Sequence, residues 1–389
     1  MYRKTFARID GDILKENIKE IKKHYSNYEY YIGVVKNNAY MHGIYVVNDL
    51  IAGGINYLAV SSLEEAINIR KYNLEIPILC LEPIELEYIY DAINNNVTLT
   101  VESINYLLEL NELKLKDQLK IHLKVDSGMN RLGIKTAKEF NKIVKLITEN
   151  KKLYLEGVYS HFATSGVSDK YWDIQLSNFK NITKDVNLNT IPIVHLGRSL
   201  TLVNHPKISF CNGIRLGIIM FGFEQNIPKG NFLQELRRDA IIKKHNISET
   251  YRTNNLKLRT AFSLYSKVIT TRKIKAGEFV GYNANYIAKE NIIVATIPIG
   301  YADGVSKNFK YVNIKNKRYE ILADTMDMIM VKVDNTIKIG DKVEIFGDNI
   351  KVKEVTNNLG LNAYHLFNQI SNRVPRIHVR DKFEEEIKY

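Results

Sequence analysis

Cysteine is nearly absent from this chain. Cys80 and Cys211 are its only two, and neither stands in a metal-ligating spacing, so both read as reduced core thiols and no metal is expected. The opening stretch, MYRKTFARIDGDIL, has no uninterrupted apolar segment, so no signal peptide is expected. No apolar run is long enough to span a bilayer. Together these absences point to a cytoplasmic protein without a membrane partner. Clustered positive charge is missing too. There are 55 Lys and Arg against 43 Asp and Glu, a formal charge of +12. Basic runs such as IIKKH and TTRKIKAG are nevertheless short and lack the interleaved aromatics of a base-stacking groove. The excess reads as a lysine-rich solvated surface that attracts anionic substrates or cofactors, and no nucleic-acid partner is expected. No repeat, linker tract or disordered tail stands out, although EQNIPKGN (224–231) reads as a loop.

What is present is a long alternation. A chain of 389 residues can bury a large core and is expected to form two domains. Short apolar segments recur as YIGVVK (31–36), YLAVS (57–61), IPILCL (76–81) and VTLTV (97–101). KIHLKV (120–125), LEGVYSHF (155–162), IPIVHL (191–196) and IRLGIIMFG (214–222) continue the series. Helical patterns lie between most of them. SLEEAINIRKYN (62–73) offers Ser62 as an N-cap with acids in the first turn, and TAKEFNKIVKLITEN (136–150) places Phe140, Val144 and Ile147 on one face. Eight nearly continuous apolar strands separated by helices call for a parallel sheet covered on both faces, and eight units favour closure into a (β/α)8 barrel. After about residue 240 the pattern becomes antiparallel, with Gly and Asp turns, as in IKIGDKVEIFG. The expected division is a barrel over 10–240 and a mainly antiparallel β domain over 241–389, joined by an N-terminal strand within 1–9.

In such a barrel the chemistry belongs at the C-terminal strand ends. There the sequence puts Lys36, Lys124 with Asp126, His161 and His195. A lysine ending an inner strand is either a surface residue with a snorkelling amine or an amine aimed into the barrel mouth. A single buried amine suits covalent capture of a carbonyl.

The stretch VVKNNAYMHG (34–43) resembles the lysine motif of the alanine racemase family, the fold-type III enzymes that use pyridoxal 5'-phosphate. The resemblance continues in order through SSLEEAINIR, LKVDSGMNRLG, GVYSHFATS, IRLGIIMFG, VGYNANY, IPIGYADG, TMDMIM and NRVPR, covering essentially the whole chain. It implies that Lys36 carries the cofactor and is one of two catalytic bases. Tyr282 is then the other, contributed by a partner subunit, so that active sites are shared in a homodimer. Two bases on opposite faces of Cα suit racemisation, which one fixed base serves poorly. By the same resemblance Arg215 faces the pyridine nitrogen, His161 packs by the ring and orders Arg215, and Arg131 lies near the phenolic oxygen and the substrate carboxylate. Lys124 is either carbamylated, orienting Arg131, or paired with Asp126. The phosphate falls to Tyr40, Ser199, the backbone of Gly217 and Ile218, and Tyr364, whose other reading is a core aromatic of the β domain. Tyr301 gates the entrance, the Met326 N–H receives the substrate carboxylate, and Asp327 orders that loop.

The implied activity is interconversion of L- and D-alanine, supplying D-alanine for peptidoglycan in a bacterium. A serine or broad-specificity racemase of the same fold is the alternative. A decarboxylase is disfavoured, because it would bring an acid to the pyridine nitrogen. Three positions depart from the family pattern: Met41 where glycine is usual, Arg198 for asparagine, and Thr325 for cysteine. Met41 leads us to expect a different path for the loop after Tyr40.

Overall fold

The computed structural model describes residues 3–164, 170–223, 232–244, 256–284, 286–381 and 383–387. EQNIPKGN lies outside the described residues. The chain divides into two compact units: one of Lys15–Ala39 and Ile44–Leu258, the other of Met1–Leu14, Tyr40–Gly43 and Arg259–Tyr389.

The first strand, β1 (Phe6–Asp10), belongs to the second unit. The first unit contains β2 (Tyr30–Val34), β3 (Tyr57–Val60), β4 (Ile78–Cys80), β5 (Val97–Val101), β6 (Leu119–Lys124), β7 (Leu153–Tyr159), β8 (Ile193–His195) and β9 (Gly213–Leu216). All neighbouring pairs are parallel, in the order β8-β7-β6-β5-β4-β3-β2-β9. The expected (β/α)8 barrel is thus present. It is nearly closed, because β9 lies directly against β8: a Cβ on Gly213 would sit 3.0 Å from His195 Cβ. Strands β3, β4, β5, β8 and β9 are buried at every residue, as covering on both faces demands.

Local rules set the helices. Thr136 caps the helix Ala137–Glu149 by accepting from Glu139 N–H at 3.2 Å. Its buried face holds Phe140, Ile143 and Ile147, so Ile143, and not the expected Val144, completes the stripe. Ser62 precedes the helix Leu63–Arg70 but makes no side-chain cap bond. Cys80 and Cys211 are both buried and free.

The second unit contains β10 (Phe262–Lys267), β11 (Thr270–Ile274), β12 (Phe279–Val280), β13 (Tyr286–Ile287), β14 (Ile292–Ile297), β15 (Tyr311–Ile314), β16 (Lys317–Asp324), β17 (Ile329–Val333), β18 (Lys342–Phe346), β19 (Arg376–Arg380) and β20 (Phe383–Ile387). Ten strands form one sheet in the order β11-β14-β17-β16-β15-β18-β10-β1-β19-β20, and β12 pairs with β13 alone. The sheet is antiparallel except where β1 runs parallel to β19.

Tyr40–Gly43 groups with this β unit although it lies between barrel elements in sequence. Aromatic packing accounts for that. The His42 ring lies 5.1 Å from Phe262 and 5.0 Å from Phe367. The fully buried Arg376 donates to Met41 O at 3.3 Å. Among the described residues, no helix is long and apolar enough to cross a membrane.

Candidate active site

Lys36 follows β2 and opens a segment of unusual backbone. Asn37, Asn38, Ala39, Tyr40 and Met41 all have φ between 51° and 64°. Each residue with a Cβ costs about 1–2 kcal/mol in this left-handed region, least for asparagine. Met41, at φ 64°, occupies a conformation that would suit the glycine usual there. The turn is anchored at its start by Glu65, whose carboxylate accepts from Asn37 N–H at 2.5 Å and Ser61 N–H at 2.8 Å. Lys36 itself is half-buried.

The mouth of the barrel is cationic. Lys124 ends β6 and is buried, with Nζ 4.5 Å from the Tyr159 ring centroid. Burial first, then the cations Arg215 and Arg131, hold its amine well below the ordinary lysine range. The pairing of Lys124 with Asp126 is not what the structure shows. Asp126 Oδ1 accepts from Gly128 N–H and Asn130 N–H, both at 3.0 Å, and its ion-pair partner is Lys135. Arg131 is exposed at the end of that turn, and among the described residues it has no ion pair.

Arg215 is the most heavily bonded of these side chains. It sits on β9, fully within the barrel. Nη1 donates to His195 Nδ1 and to His195 O, each at 2.7 Å. Nη2 donates to Ser160 O at 2.7 Å, to Leu196 O at 3.0 Å and to His161 Nδ1 at 3.2 Å. Only Nε–H has no acceptor among the described residues. Burial lowers the guanidinium to about 10, so it remains a cation at neutral pH. Burial, then Arg215 and Lys124, hold the His161 imidazole well below its usual range, so it is neutral there.

Backbone donors gather on the next turn. Gly217 N–H donates to Ser199 Oγ at 3.0 Å. Ile218 opens the single-turn 3₁₀ helix Ile218–Phe221, whose first N–H has no carbonyl to reach. Arg198 precedes Ser199 and adds a further positive charge near His161.

In the β unit the structure brings Tyr40 and Tyr364 together edge-on, 5.3 Å between ring centroids. Tyr282, Tyr301 and Met326 are each more than half exposed. Gly281 has φ 81°, and a Cβ there would meet Ala323 Cβ at 2.5 Å, so the turn presenting Tyr282 requires glycine. Tyr301 N–H donates to Thr325 O at 3.1 Å and Ala302 N–H to Met326 O at 3.0 Å, fixing the two loops to each other. The Met326 N–H has no acceptor among the described residues. Asp327 reaches away to Arg373 at 2.6 Å, while Thr325 closes its loop through Met328.

The sequence did not reveal a buried chain behind Arg215. His195 continues to His122, His122 to Glu156, and Glu156 to Tyr57 and Thr98. The one available signal was histidine in IHLK and IVHL, strands otherwise apolar.

The comparisons with known proteins agree over both units. The model described as the alanine racemase N-terminal domain matches residues 9–225, and that for the C-terminal domain matches residues 261–378. The chain is 34% identical to alanine racemase 1 of Bacillus subtilis, covering 97% of this chain and 93% of that one. It is 32% identical to the alanine racemase of Anoxybacillus flavithermus, covering 100% and 98%. The solved alanine racemase of Clostridium difficile 630 superposes with a TM-score of 0.85 at 30% identity, covering 100% of this chain and 98% of that one. With matching domains at both ends and near-complete coverage, the chain belongs to the alanine racemase family.

Proposed function

We infer that this protein interconverts L-alanine and D-alanine with pyridoxal 5'-phosphate as its cofactor. The observation that carries the reading is Arg215: a buried cation whose every Nη donor is occupied by protein and whose Nε–H alone is left for a ligand. The surrounding residues fit the cofactor. A dianionic phosphate suits a mouth whose charges are Lys36, Arg131, Arg198 and Arg215, with Ser199 Oγ and the Ile218 N–H as donors and the Gly217 N–H, which otherwise donates to Ser199 Oγ, turned to the same place. Tyr40 and Tyr364 supply further hydroxyls for it. When bound, the cofactor supplies an electron-withdrawing ring that acidifies the substrate's Cα–H.

The chain's own groups do the rest. Lys36 Nζ holds the cofactor and, once displaced by substrate, moves a proton at one face of Cα. The Tyr282 hydroxyl serves the other face. Its exposure, with that of Tyr301 and Met326, supports contribution of these residues to a second copy, in a homodimer with shared sites. Arg215, a permanent donor, does not transfer a proton to the ring nitrogen and so moderates electron withdrawal, which disfavours decarboxylation. His161 keeps Arg215 in place. Arg131 and the Met326 N–H bind the substrate carboxylate, with Asp327 holding Arg373 beside that loop. Tyr301 limits the space beyond Cβ, favouring alanine over larger side chains. Lys124 is carbamylated: a buried amine with a depressed affinity for protons is neutral enough to add carbon dioxide, and the carbamate would meet two guanidinium neighbours. The role that follows is D-alanine supply for peptidoglycan in a bacterial cytoplasm.

The test is purified protein with added cofactor, assayed for loss of optical activity with L-alanine, L-serine and L-lysine. Alanine should be fastest, and Lys36→Ala should be inactive. Tyr282→Phe should still exchange the α-hydrogen of one enantiomer in heavy water but not of both. Faster turnover of lysine than alanine, or full activity of Tyr282→Phe, would defeat this reading.

A further inference from the structure

The barrel interior holds a polar chain that the proposed reaction does not itself use. A parallel barrel is ordinarily filled by layers of branched apolar side chains. Here five strands contribute polar groups. His195 Nε2 lies 3.0 Å from His122 Nδ1, and His122 Nε2 lies 3.2 Å from Glu156 Oε2. The same Oε2 lies 2.6 Å from Tyr57 OH and 3.0 Å from Thr98 Oγ1. His122, His195 and Tyr57 are all but inaccessible to solvent. The fold makes room for this chain. Gly157, in register with His122 on the neighbouring strand, has no side chain where a Cβ would lie 2.5 Å from the His122 ring.

The two ends determine every proton between them. A guanidinium only donates, so His195 Nδ1 must accept from Arg215. His195 therefore carries its proton on Nε2 and donates it to His122 Nδ1. His122 in turn carries its proton on Nε2 and donates to Glu156. At the far end an ionised carboxylate only accepts, and three donors converge on its one oxygen. Both imidazoles are neutral in this arrangement, as burial independently favours. Every bond thus points the same way, from a cation at the mouth to an anion at the barrel's other end. Reversing His195 would set its Nδ1–H against the Arg215 guanidinium, and reversing His122 would set its Nδ1–H against the Nε2–H of His195, which relaxes only by reversing His195 in turn.

We propose that His122 and Glu156 are positioning residues for Arg215, acting through His195: the Glu156 carboxylate fixes the tautomer of both imidazoles, and they hold the guanidinium with its Nε–H toward the cofactor. This deepens the proposed function, resting on the reading that Arg215 faces the pyridine nitrogen. A structural polar cluster would contribute to stability alone. A positioning chain also reaches the reaction.

The variants are Glu156→Leu, which removes the acceptor, and Glu156→Gln, which keeps an oxygen where three donors meet. The first readout is nitrogen NMR of the nine histidines in protein labelled on the imidazole, with and without cofactor. Wild type should show His122 and His195 neutral and protonated on Nε2, and Glu156→Leu should lose that single state. The second is kinetic: Glu156→Leu should lower kcat about tenfold or more, with KM within about twofold, and Glu156→Gln should recover most of the loss. The third is the absorption of the bound cofactor, expected to shift in Glu156→Leu only. A wild-type His195 protonated on Nδ1, or on both nitrogens, overturns the proposal. So does a folded Glu156→Leu with wild-type kcat, or a Glu156→Gln no better than it. Should Glu156→Leu not fold, the wild-type tautomers and the Glu156→Gln kinetics still decide. A wild type that racemises no amino acid would refute the proposed function, while the tautomers would still test the chain of hydrogen bonds.

Discussion

Arg376 is the largest fully buried side chain among the described residues, and replacing it should be costly in a way the structure allows to be worked out. Its guanidinium donates to four carbonyl oxygens: Ser371 and Val374 at 2.6 Å, Ile370 at 2.8 Å and Met41 at 3.3 Å. A charge-assisted hydrogen bond contributes about 1.5–3 kcal/mol, and a buried acceptor left unmatched costs about 1–3 kcal/mol. The four do not add fully. Ser371 O also accepts from Val374 N–H at 3.1 Å and so keeps one partner, and the Met41 bond is long. Arg376→Met keeps most of the volume and removes all four donors, so the expected loss is about 4 kcal/mol. Arg376→Lys can serve one or two of the carbonyls and should lose roughly half of that. The readout must be chosen with care. The only tryptophan, Trp172, lies in the barrel unit, so its emission does not follow this unit. Urea unfolding followed by far-ultraviolet circular dichroism does. The same variant should raise the cofactor concentration needed for half-maximal activity, because Met41 O closes the left-handed turn that carries Tyr40. A loss below about 1 kcal/mol would refute the assignment of these bonds as stabilising.

Further expectations follow from individual groups. Arg215→Glu should lower racemisation and produce a long-wavelength absorption band of the bound cofactor with substrate, and an unchanged spectrum would count against Arg215 facing the ring. Burial raises the Glu156 carboxyl, but the bond from His122 and the neighbouring Tyr57 and Lys120 outweigh it and lower the group to about 2. A carboxyl depressed on folding contributes stability above its unfolded value near 4.5 and loses it as pH falls towards the folded value. Between ~pH 6 and ~pH 3 the wild type should therefore lose about 2 kcal/mol more than Glu156→Gln, and parallel denaturation curves would contradict this. A Cβ on Gly133, at φ 127°, would lie 2.7 Å from Asp126 N and 2.8 Å from Lys124 O. Gly133→Ala should thus displace the turn that carries Arg131 and raise KM for alanine severalfold more than it lowers kcat, whereas an unchanged KM would place Arg131 away from the substrate.

Much of the barrel was legible because its strands are short apolar runs with a chemically distinctive residue at the end. Lys124 and His195 do end β6 and β8, and the sheet is parallel as that composition requires. The limits are equally specific. Periodicity placed Val144 on the buried stripe of its helix where Ile143 lies, an error of one residue that a 100° turn per residue easily absorbs. Charge proximity left pairing with Asp126 as one of two readings of Lys124, but the backbone N–H groups of Gly128 and Asn130, in the turn that follows, claim that carboxylate. No sequence rule anticipates five successive left-handed residues after Lys36, because three of them lack the asparagine or glycine that would announce the conformation. The chain from Arg215 to Glu156 was hidden for a different reason: its members come from strands far apart in sequence, and each alone resembles an ordinary buried polar residue.

The position of β1 has a consequence for how the molecule is made. Phe6–Asp10 is hydrogen-bonded on one side to β10 and on the other to β19. A ribosome releases β1 first, and its parallel neighbour emerges only after hundreds of further residues. That strand must wait as an unpaired edge while the barrel forms. Cutting the gene between the two halves would accordingly leave a gap between β10 and β19 inside the ten-stranded sheet, and a β unit expressed that way should regain its fold only when a peptide spanning Phe6–Asp10 is added back.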